Sequence, residues 1–213
     1  MGYKIVHKGG EAEIIEKKSR FIAYVRPVNS EEEATAFIEE IKKKNWNARH
    51  NCSAFVIGKN NELTRCSDDG EPSGTAGKPM LEVLLGQQLH NVAVVVTRYF
   101  GGILLGTGGL VRAYQAAVKE GINASKILEK FEGARYSVET DYNGIGKMQY
   151  ILSKENVNVL GTEYTDKVMV NMVLKSDEED KILKELTEGS AGKAVIQKIE
   201  EVSFGVVEGE VIF

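Results

Sequence analysis

The sequence predicts an α+β protein of two domains. Strands and helices alternate through the first half of the chain, the pattern restarts near Gly133, and the second half follows the order βαββαβ. The length of 213 residues suits one large domain or two small ones, at roughly 100–200 residues per domain. We therefore place an N-terminal domain at residues 1–132 and a C-terminal domain at residues 133–213.

The N-terminal domain begins with two strands, at residues 13–16 and 21–25, joined by a turn at residues 17–19. A helix follows, because Ser30 and Glu33 form a capping box in which each side chain satisfies a backbone N–H of the other residue. Its buried face has the spacing of one helical stripe: Ala34, Phe37, Ile38 and Ile41. The lysines that come next complement the negative end of the helix dipole, which explains them without nucleic acid.

Two further helices are predicted in this domain. Residues 52–58 and 62–66 pair as a hairpin, and the loop at 67–77 leads into a helix with Pro79 in its first turn. That helix is expected to turn four leucines inward: Leu81, Leu84, Leu85 and Leu89. Residues 92–96 are apolar without alternation, so we expect a strand that is covered on both faces. The last helix follows a glycine-rich loop and has this apolar face: Leu110, Ala113, Tyr114, Ala117 and Val118.

The C-terminal domain is predicted to have the split βαβ arrangement of ferredoxin-like folds. Its elements run strand, helix, strand, strand, helix, strand, at residues 136–140, 145–152, 157–164, 168–174, 177–188 and 195–206. The outer residues of this domain are acidic and show no catalytic pattern. They indicate a docking or scaffold domain.

The distribution of charge is uneven although the net charge is only −4. Residues 1–132 carry 18 Lys and Arg against 16 Asp and Glu, whereas residues 133–213 carry 9 against 15. From Lys78 to Lys119, four basic residues stand against Glu82 alone, so the local potential is expected to be positive. Two cysteines, no apolar signal core and no run of membrane length predict a cytoplasmic protein with reduced thiols and no membrane partner.

Five glycines fall within nine residues: Gly101, Gly102, Gly106, Gly108 and Gly109. Glycine permits positive φ and close approach of the backbone, and a helix that begins at such a loop offers free N–H groups to an anion such as phosphate. Arg98 and Arg112 flank the loop and would supply charge-assisted contacts. A tight strand-to-helix turn packed against a neighbour explains the same glycines. The spacing matches no nucleotide-hydrolysis motif.

Three carboxylates share the preceding loop, at Asp68, Asp69 and Glu71. A hard cation such as Mg²⁺ takes ligands of this kind, but the calcium-loop pattern is absent. The favoured interpretation is a turn in which the two aspartates cap local N–H groups and pair with Arg65 or Arg98. No metal or cofactor site is predicted.

His50 and Cys52 alternate on one strand face, and Cys66 lies on the adjacent predicted strand. No zinc-ligand spacing accompanies them. As a nucleophile and base they would need an oxyanion hole, which the glycine-rich loop would supply. A small buried thiol that fills the core is the favoured interpretation of Cys52, and no catalytic residue is assigned.

Three blocks of the sequence are similar to the signature blocks of the IMPACT family. They are RHNCSA at residues 49–54, DDGEPSGTAGKP at 68–79 and VVVTRYFGGILLGTGGLVRAY at 94–114. The chain resembles the bacterial, YigZ-like members over its whole length. The resemblance implies an N-terminal domain like domain 2 of ribosomal protein S5. It also implies a ferredoxin-like second domain resembling the last domain of elongation factor G.

Eukaryotic relatives regulate translation, so the resemblance and the residues together predict a non-enzymatic, translation-associated regulator. It would bind RNA or the ribosome through phosphates, with a strong dependence on salt, and a protein partner in translation control is also expected. Two alternatives stay open: a hydrolase or other small-molecule enzyme that uses His50, Cys52 and the acidic loop, and a regulator that binds only proteins. No oligomeric state is predicted. The candidate surface comprises Arg49, His50, Arg65, Lys78, Arg98, Gly101, Gly102, Gly106, Gly108, Gly109 and Arg112, with Asp68, Asp69 and Glu71.

Overall fold

The computed structural model describes residues 2–207 and 209–213 and forms two compact units. The N-terminal unit spans Tyr3–Leu128, and the C-terminal unit contains Gly2 and Glu129–Phe213. The first unit thus ends shortly before the boundary predicted after Glu132. The reason is a strand that continues through Gly133, where the sequence pattern suggested a break. Among the described helices, none is long and apolar enough to cross a membrane.

The N-terminal unit contains seven strands and three helices and includes the start of an eighth strand. In chain order they are β1 (Tyr3–Lys8), β2 (Glu11–Glu16), β3 (Ser19–Pro27), α1 (Glu31–Lys44), β4 (His50–Ile57), β5 (Leu63–Ser67), α2 (Gly77–Gly86), β6 (Leu89–His90), β7 (Val92–Tyr99), α3 (Thr107–Asn123) and β8 (Lys126–Thr140). The short strands β1 and β6 pair in parallel and were not predicted.

An antiparallel sheet in the order β2-β3-β7-β4-β5 forms the centre of this unit. Helix α1 packs on one face of the sheet, whereas α2 and α3 pack on the other. The central strand β7 shows why its sequence does not alternate. Val94 and Val96 pack towards α2 and α3, while Ala93 and Val95 pack towards α1. The prediction of a strand covered on both faces is confirmed.

Helix α2 is shorter than predicted, because the chain leaves the helix at Gln87. Leu89 is buried as expected, but it lies in β6. The helix buries Met80, Val83 and Leu84, whereas Leu85 is 38% exposed. Consecutive helical residues point about 100° apart, so Leu84 and Leu85 cannot both face the same core.

A two-residue turn, Lys17-Lys18, joins β2 to β3, where Glu16 pairs with Ser19. Both lysines have positive φ, 45° and 64°, as a type I′ turn requires. This conformation favours Asn-Gly and costs a residue with a side chain about 1–3 kcal/mol. The turn therefore holds two lysines in a conformation that their own preferences oppose.

The loop that follows β7 packs directly on this turn. The N–H of Gly101 donates to Ser19 Oγ over 3.1 Å. A Cβ atom at Gly101 would lie 2.0 Å from the carbonyl carbon of Lys18. Close backbone approach, rather than positive φ, explains this glycine, and it fixes the glycine-rich loop beside the hairpin.

The C-terminal unit is built around an antiparallel sheet in the order β9-β10-β8-β11-β12. After β8, its elements are α4 (Ile145–Lys154), β9 (Asn158–Tyr164), β10 (Val168–Lys175), α5 (Glu179–Gly189), β11 (Val195–Val207) and β12 (Glu210–Ile212). Both helices pack on the same core, through Met148, Ile151 and Leu152 of α4 and Ile182 and Leu186 of α5. The predicted order βαββαβ is present, and β12 is an addition that the sequence did not indicate.

The contact at Gly101 predicts a large loss of stability for Gly101→Ala. Its Cβ has no room against the Lys18 backbone, so the loop must shift, at a cost of about 2–4 kcal/mol. Gly108→Ala is the matched control, because Gly108 belongs to the same group of five glycines. It lies in α3, with Arg112 the nearest atom at 3.6 Å, and should be neutral or stabilising by up to about 1 kcal/mol. Urea unfolding measures both variants, and equal effects would contradict the packing argument.

Candidate functional site

Most of the predicted site residues gather at one end of the five-stranded sheet. β7 ends and β3 begins there, with Arg20 opposite Tyr99. β4 also begins there, with His50 opposite Arg98. The glycine-rich loop, the Lys17-Lys18 turn and the acidic loop that follows β5 therefore adjoin the same sheet end.

A buried carboxylate lies at the centre of this end of the sheet. Glu71 Oε1 accepts hydrogen bonds from Arg98 Nη1 at 2.7 Å and from the Tyr114 hydroxyl at 2.8 Å. The side chains of Arg98 and Glu71 are only 8% and 3% exposed. The guanidinium also lies over the rings of Phe21 and Phe100, at 5.4 and 5.5 Å from their centres. The site thus contains a buried ion pair.

This burial corrects two expectations about Arg98. The residue does not pair with Asp68 or Asp69, because its charge is directed to Glu71. It also does not present a free cation to a phosphate, because the guanidinium is buried and paired with Glu71. Its Nε is buried and has no hydrogen-bond partner among the described residues. Arg98 and Glu71 are therefore structural residues of the site.

The acidic loop is held by the capping interactions that the sequence indicated. Asp68 accepts hydrogen bonds from the N–H groups of Gly74 at 2.8 Å, Ala76 at 3.0 Å and Gly77 at 2.8 Å. Burial raises the pKa of Asp68, but these three bonds together outweigh it and leave the pKa below its ordinary value. Asp69 accepts from the N–H of Asn51 at 2.7 Å and pairs with Lys42 at 3.3 Å. These carboxylates stabilise the loop.

The geometry of the described residues favours neither a metal site nor a cysteine nucleophile. Within residues 2–207 and 209–213, no cluster of three or more His, Cys, Asp and Glu side chains is placed to hold a metal. Cys52 is fully buried, and burial raises the pKa of its thiol to about 12. The thiol donates to the carbonyl oxygen of Asp68 at 3.0 Å, and His50 Nδ1 lies 2.9 Å from the carbonyl oxygen of Asp69. At neutral pH the thiolate that a nucleophile requires is therefore scarcely populated.

The glycine-rich loop and the start of α3 form the exposed part of the site. Gly102 and Gly106 have positive φ, 84° and 72°, whereas Gly108 and Gly109 are helical. Among the residues that the structure describes, no side chain caps α3, and the first N–H groups of any helix lack a partner within the helix. Arg112 is exposed one turn into this helix. The structure thus has an uncapped helix start next to the glycine-rich loop, and anion binding there stays a prediction.

Lys17 and Lys18 add charge to this surface and were missed as functional candidates. A cavity of about 260 Å³ is lined by Lys17, Glu16, Gly109 and Arg112 among others. Across the described residues, no ion pair involves Lys17, Lys18 or Arg112. The available signal was a pair of lysines between two predicted strands, which indicated a turn but not what the turn adjoins.

The remaining basic candidates are divided between the two ends of the sheet. Arg49 precedes β4 and Lys78 lies in the first turn of α2, and both are exposed near the acidic loop. Arg65 was expected at the site, where it would pair with Asp68 or Asp69, but it lies in the middle of β5, opposite Phe55, and pairs with Glu31 at 3.0 Å. Its partner is the first residue of α1, so Arg65 is directed away from the candidate site.

Exposed apolar side chains accompany the charges. Leu104, at the tip of the glycine-rich loop, is 81% exposed, and Phe100 and Ile103 beside it are also exposed. Trp46 is 84% exposed. It stands between Asn45 and Asn47, whose Oδ1 atoms lie 3.1 and 3.2 Å from the Tyr99 hydroxyl, which donates its one proton to this pair of oxygens. The same sheet end therefore carries both basic and apolar groups.

The buried ion pair predicts a large effect of Glu71→Gln. The substitution keeps the shape of the side chain but leaves the Arg98 charge buried without compensation, at a cost of about 3–5 kcal/mol. Glu13→Gln is the control, because it breaks the exposed pair with Arg20, which is worth at most about 1 kcal/mol. Chemical denaturation of both variants measures the difference, and similar losses would show that burial of the pair is energetically unimportant.

Comparison with known proteins identifies the family of this chain. The family models "Impact N-terminal domain" and "Domain of unknown function (DUF1949)" match residues 17–122 and 138–193. "IMPACT family member YvyE" of Bacillus subtilis is 43% identical over 198 residues, which cover 93% of this chain and 91% of that protein. "Protein IMPACT" of Xenopus laevis is 38% identical over 107 residues, covering 48% of this chain and 33% of that protein.

A solved structure supports the same relationship. The "Crystal structure of an hypothetical protein" has a TM-score of 0.60 and 32% sequence identity, and the match covers 93% of this chain and 98% of that chain. The similarity therefore extends over both units. This chain belongs to the IMPACT family.

Proposed function

We propose that the protein is a non-enzymatic regulator associated with translation, and that its N-terminal unit binds RNA phosphates on the ribosome. The family relationship to eukaryotic IMPACT supports the link to translation. The observation that carries the binding proposal is that two exposed basic residues without an ion pair in the described structure, Lys17 and Arg112, line one cavity with Gly109 of the uncapped start of α3. The exposed Lys18 follows Lys17 in the same turn. This activity would take place in the cytoplasm.

The arrangement suits a phosphate backbone better than a specific base sequence. The first N–H groups of α3 and the positive end of its dipole favour an anion. The lysine turn lies against the glycine-rich loop through the contact at Gly101, and Lys17 lines the same cavity as Gly109 and Arg112 of that helix. Phosphate contacts of this kind give affinity and registration without reading the sequence.

The resemblances of the two units extend this proposal. We assign the N-terminal unit to the fold of ribosomal protein S5 domain 2 and the C-terminal unit to the ferredoxin-like fold of the last elongation factor G domain. The strand order β9-β10-β8-β11 and the two helices on one sheet face support the second assignment. Both assigned folds are compatible with a protein that binds the ribosome.

A second candidate function is the binding of a protein partner through the apolar loop tip. The observation that favours it is the exposure of Leu104, Ile103 and Phe100 on one loop. Exposed apolar groups that lie together mark protein interaction sites more often than they mark phosphate sites. The two candidates differ in salt dependence, since only contacts with phosphates release counterions.

Replacement of the basic residues is expected to weaken RNA binding and its salt dependence together. Arg112→Gln removes one phosphate contact and should reduce the magnitude of the slope of log K against log salt by about 0.7–0.9, whereas the double variant Lys17→Gln/Lys18→Gln should reduce it by about twice that amount. Filter binding of ribosomal RNA at four salt concentrations measures the slopes, after thermal melting has shown that each variant is folded.

The control for this series is Lys119→Gln, on the same helix and also exposed, but away from its start. It should leave both affinity and slope unchanged. If Lys119→Gln weakens binding as much as Arg112→Gln does, the attraction is diffuse and the proposed site is wrong. Absence of RNA binding by the natural protein would reject the RNA proposal outright.

Leu104→Ser separates the two candidate functions. The residue is 81% exposed, so the protein should keep its stability within about 0.5 kcal/mol. Under the RNA proposal, ribosome association falls steeply at 0.5 M salt for the natural protein and is unchanged by this substitution at low salt. Association that survives about 0.5 M salt and disappears in Leu104→Ser would favour the protein-binding function. Co-sedimentation with ribosomes measures both quantities.

A further inference from the structure

The C-terminal unit contains a cavity of about 510 Å³, and none of its lining residues belongs to the candidate site of the N-terminal unit. It is formed where β8 ends, α4 begins, α5 ends and β11 begins. The lining residues are Glu139, Thr140, Asp141, Asn143, Gly144, Lys147, Lys167, Gly189, Ser190, Ala191, Lys193 and Val195. Its volume is in the range of small-molecule sites, about 300–1,000 Å³.

The lysines of this cavity differ from the other basic residues of the unit. Of the nine Lys and Arg in residues 133–213, seven form ion pairs within the described part of that segment: Arg135, Lys154, Lys167, Lys175, Lys181, Lys184 and Lys198. The two that do not are Lys147 and Lys193, and both line the cavity. Unpaired cations are thus concentrated at one place in a segment whose balance of charge is acidic.

The acidic residues of the cavity are already engaged. Glu139 pairs with Lys167. Asp141 Oδ1 accepts hydrogen bonds from the N–H groups of Asn143 at 3.0 Å and Gly144 at 2.7 Å, at the start of α4. Neither carboxylate pairs with Lys147 or Lys193 in the described structure. The two lysines therefore remain available for an external anion.

A hydroxyl group accompanies the lysines in this cavity. Thr140 lines the cavity, and its hydroxyl makes no hydrogen bond to any residue that the structure describes. The hydroxyl is not among the buried side-chain atoms that lack a partner, so solvent reaches it. It can therefore donate a hydrogen bond to the oxygen of a ligand.

We propose that this cavity binds a small organic anion whose head group is a phosphate or a carboxylate. Lys147 and Lys193 would neutralise the head group, because ammonium groups act as point charges towards either kind of anion. Thr140 would donate one directional hydrogen bond. The site would make the C-terminal unit a ligand-binding module, which goes beyond the proposed contact of the N-terminal unit with RNA.

Calorimetric titration of the full chain with inorganic phosphate, glycerol phosphate and succinate tests the proposal at low ionic strength. We expect saturable binding, with one ligand per chain, of at least one probe. Binding of the phosphate probes alone assigns a phosphate head group, and binding of succinate alone assigns a carboxylate. Lys147→Gln and Lys193→Gln should each weaken binding by roughly 10- to 100-fold, as expected for the loss of one hydrogen bond to a charged group.

The matched control is Lys184→Gln, an exposed lysine of α5 that pairs with Glu188 and does not line the cavity. It should leave the affinity unchanged, whereas Thr140→Val should weaken binding without altering the charge. Thermal melting of each variant confirms that it is folded. The proposal is overturned if no probe binds saturably, or if Lys184→Gln weakens binding as much as Lys147→Gln does.

Discussion

The buried Glu71 carboxylate is the constraint on which the architecture of the N-terminal unit depends. It links three segments that are distant in sequence: the acidic loop, the end of β7 through Arg98 and the second turn of α3 through Tyr114. A buried pair of this kind adds little net stability when complete, but the loss of either partner is costly. Its main effect is on geometry, because the two ends of the glycine-rich loop are attached to the same carboxylate.

Between those two attachment points the loop is held again by its own backbone. Gly101 contacts the carbonyl group of Lys18, and this contact places the hairpin turn beside the start of α3. The charged side chains that carry the proposed function thus belong to two elements whose relative position is set by packing and buried hydrogen bonds. Sites on such rigid elements present their groups in a defined arrangement without the entropic cost of ordering a mobile loop on binding.

The sequence predicted those features of the fold that depend on local pattern. The spacing of Ala34, Phe37 and Ile41 placed α1, and the unbroken apolar run of β7 indicated cover on both faces. The paired strands β1 and β6 were not predicted, because β6 has only two residues and the sequence of β1, YKIVHK, does not alternate apolar with polar residues.

The candidate site was harder to predict, because burial of a charged residue leaves no local signal. Arg98 is next to a glycine-rich loop, and this combination is typical of anion-binding motifs. Only the tertiary structure shows that the Arg98 guanidinium is already paired with Glu71. The sequence also could not predict which part of the structure Lys17 and Lys18 contact. Their turn was evident from two flanking strands, but its neighbour lies more than eighty positions further along the chain, at Gly101.

The positive φ values at Lys17 and Lys18 place stability and charge in competition at this turn. For folding alone, Asn-Gly would be the better sequence, since it adopts this turn with little strain. Substitutions of this kind are the ones that stability engineering selects, and they would remove two cations in the process. Substitutions that stabilise a protein by removing strain at a functional position often reduce its function. A thermostable version of this chain obtained without selection for binding would therefore be expected to lose this turn's charge first.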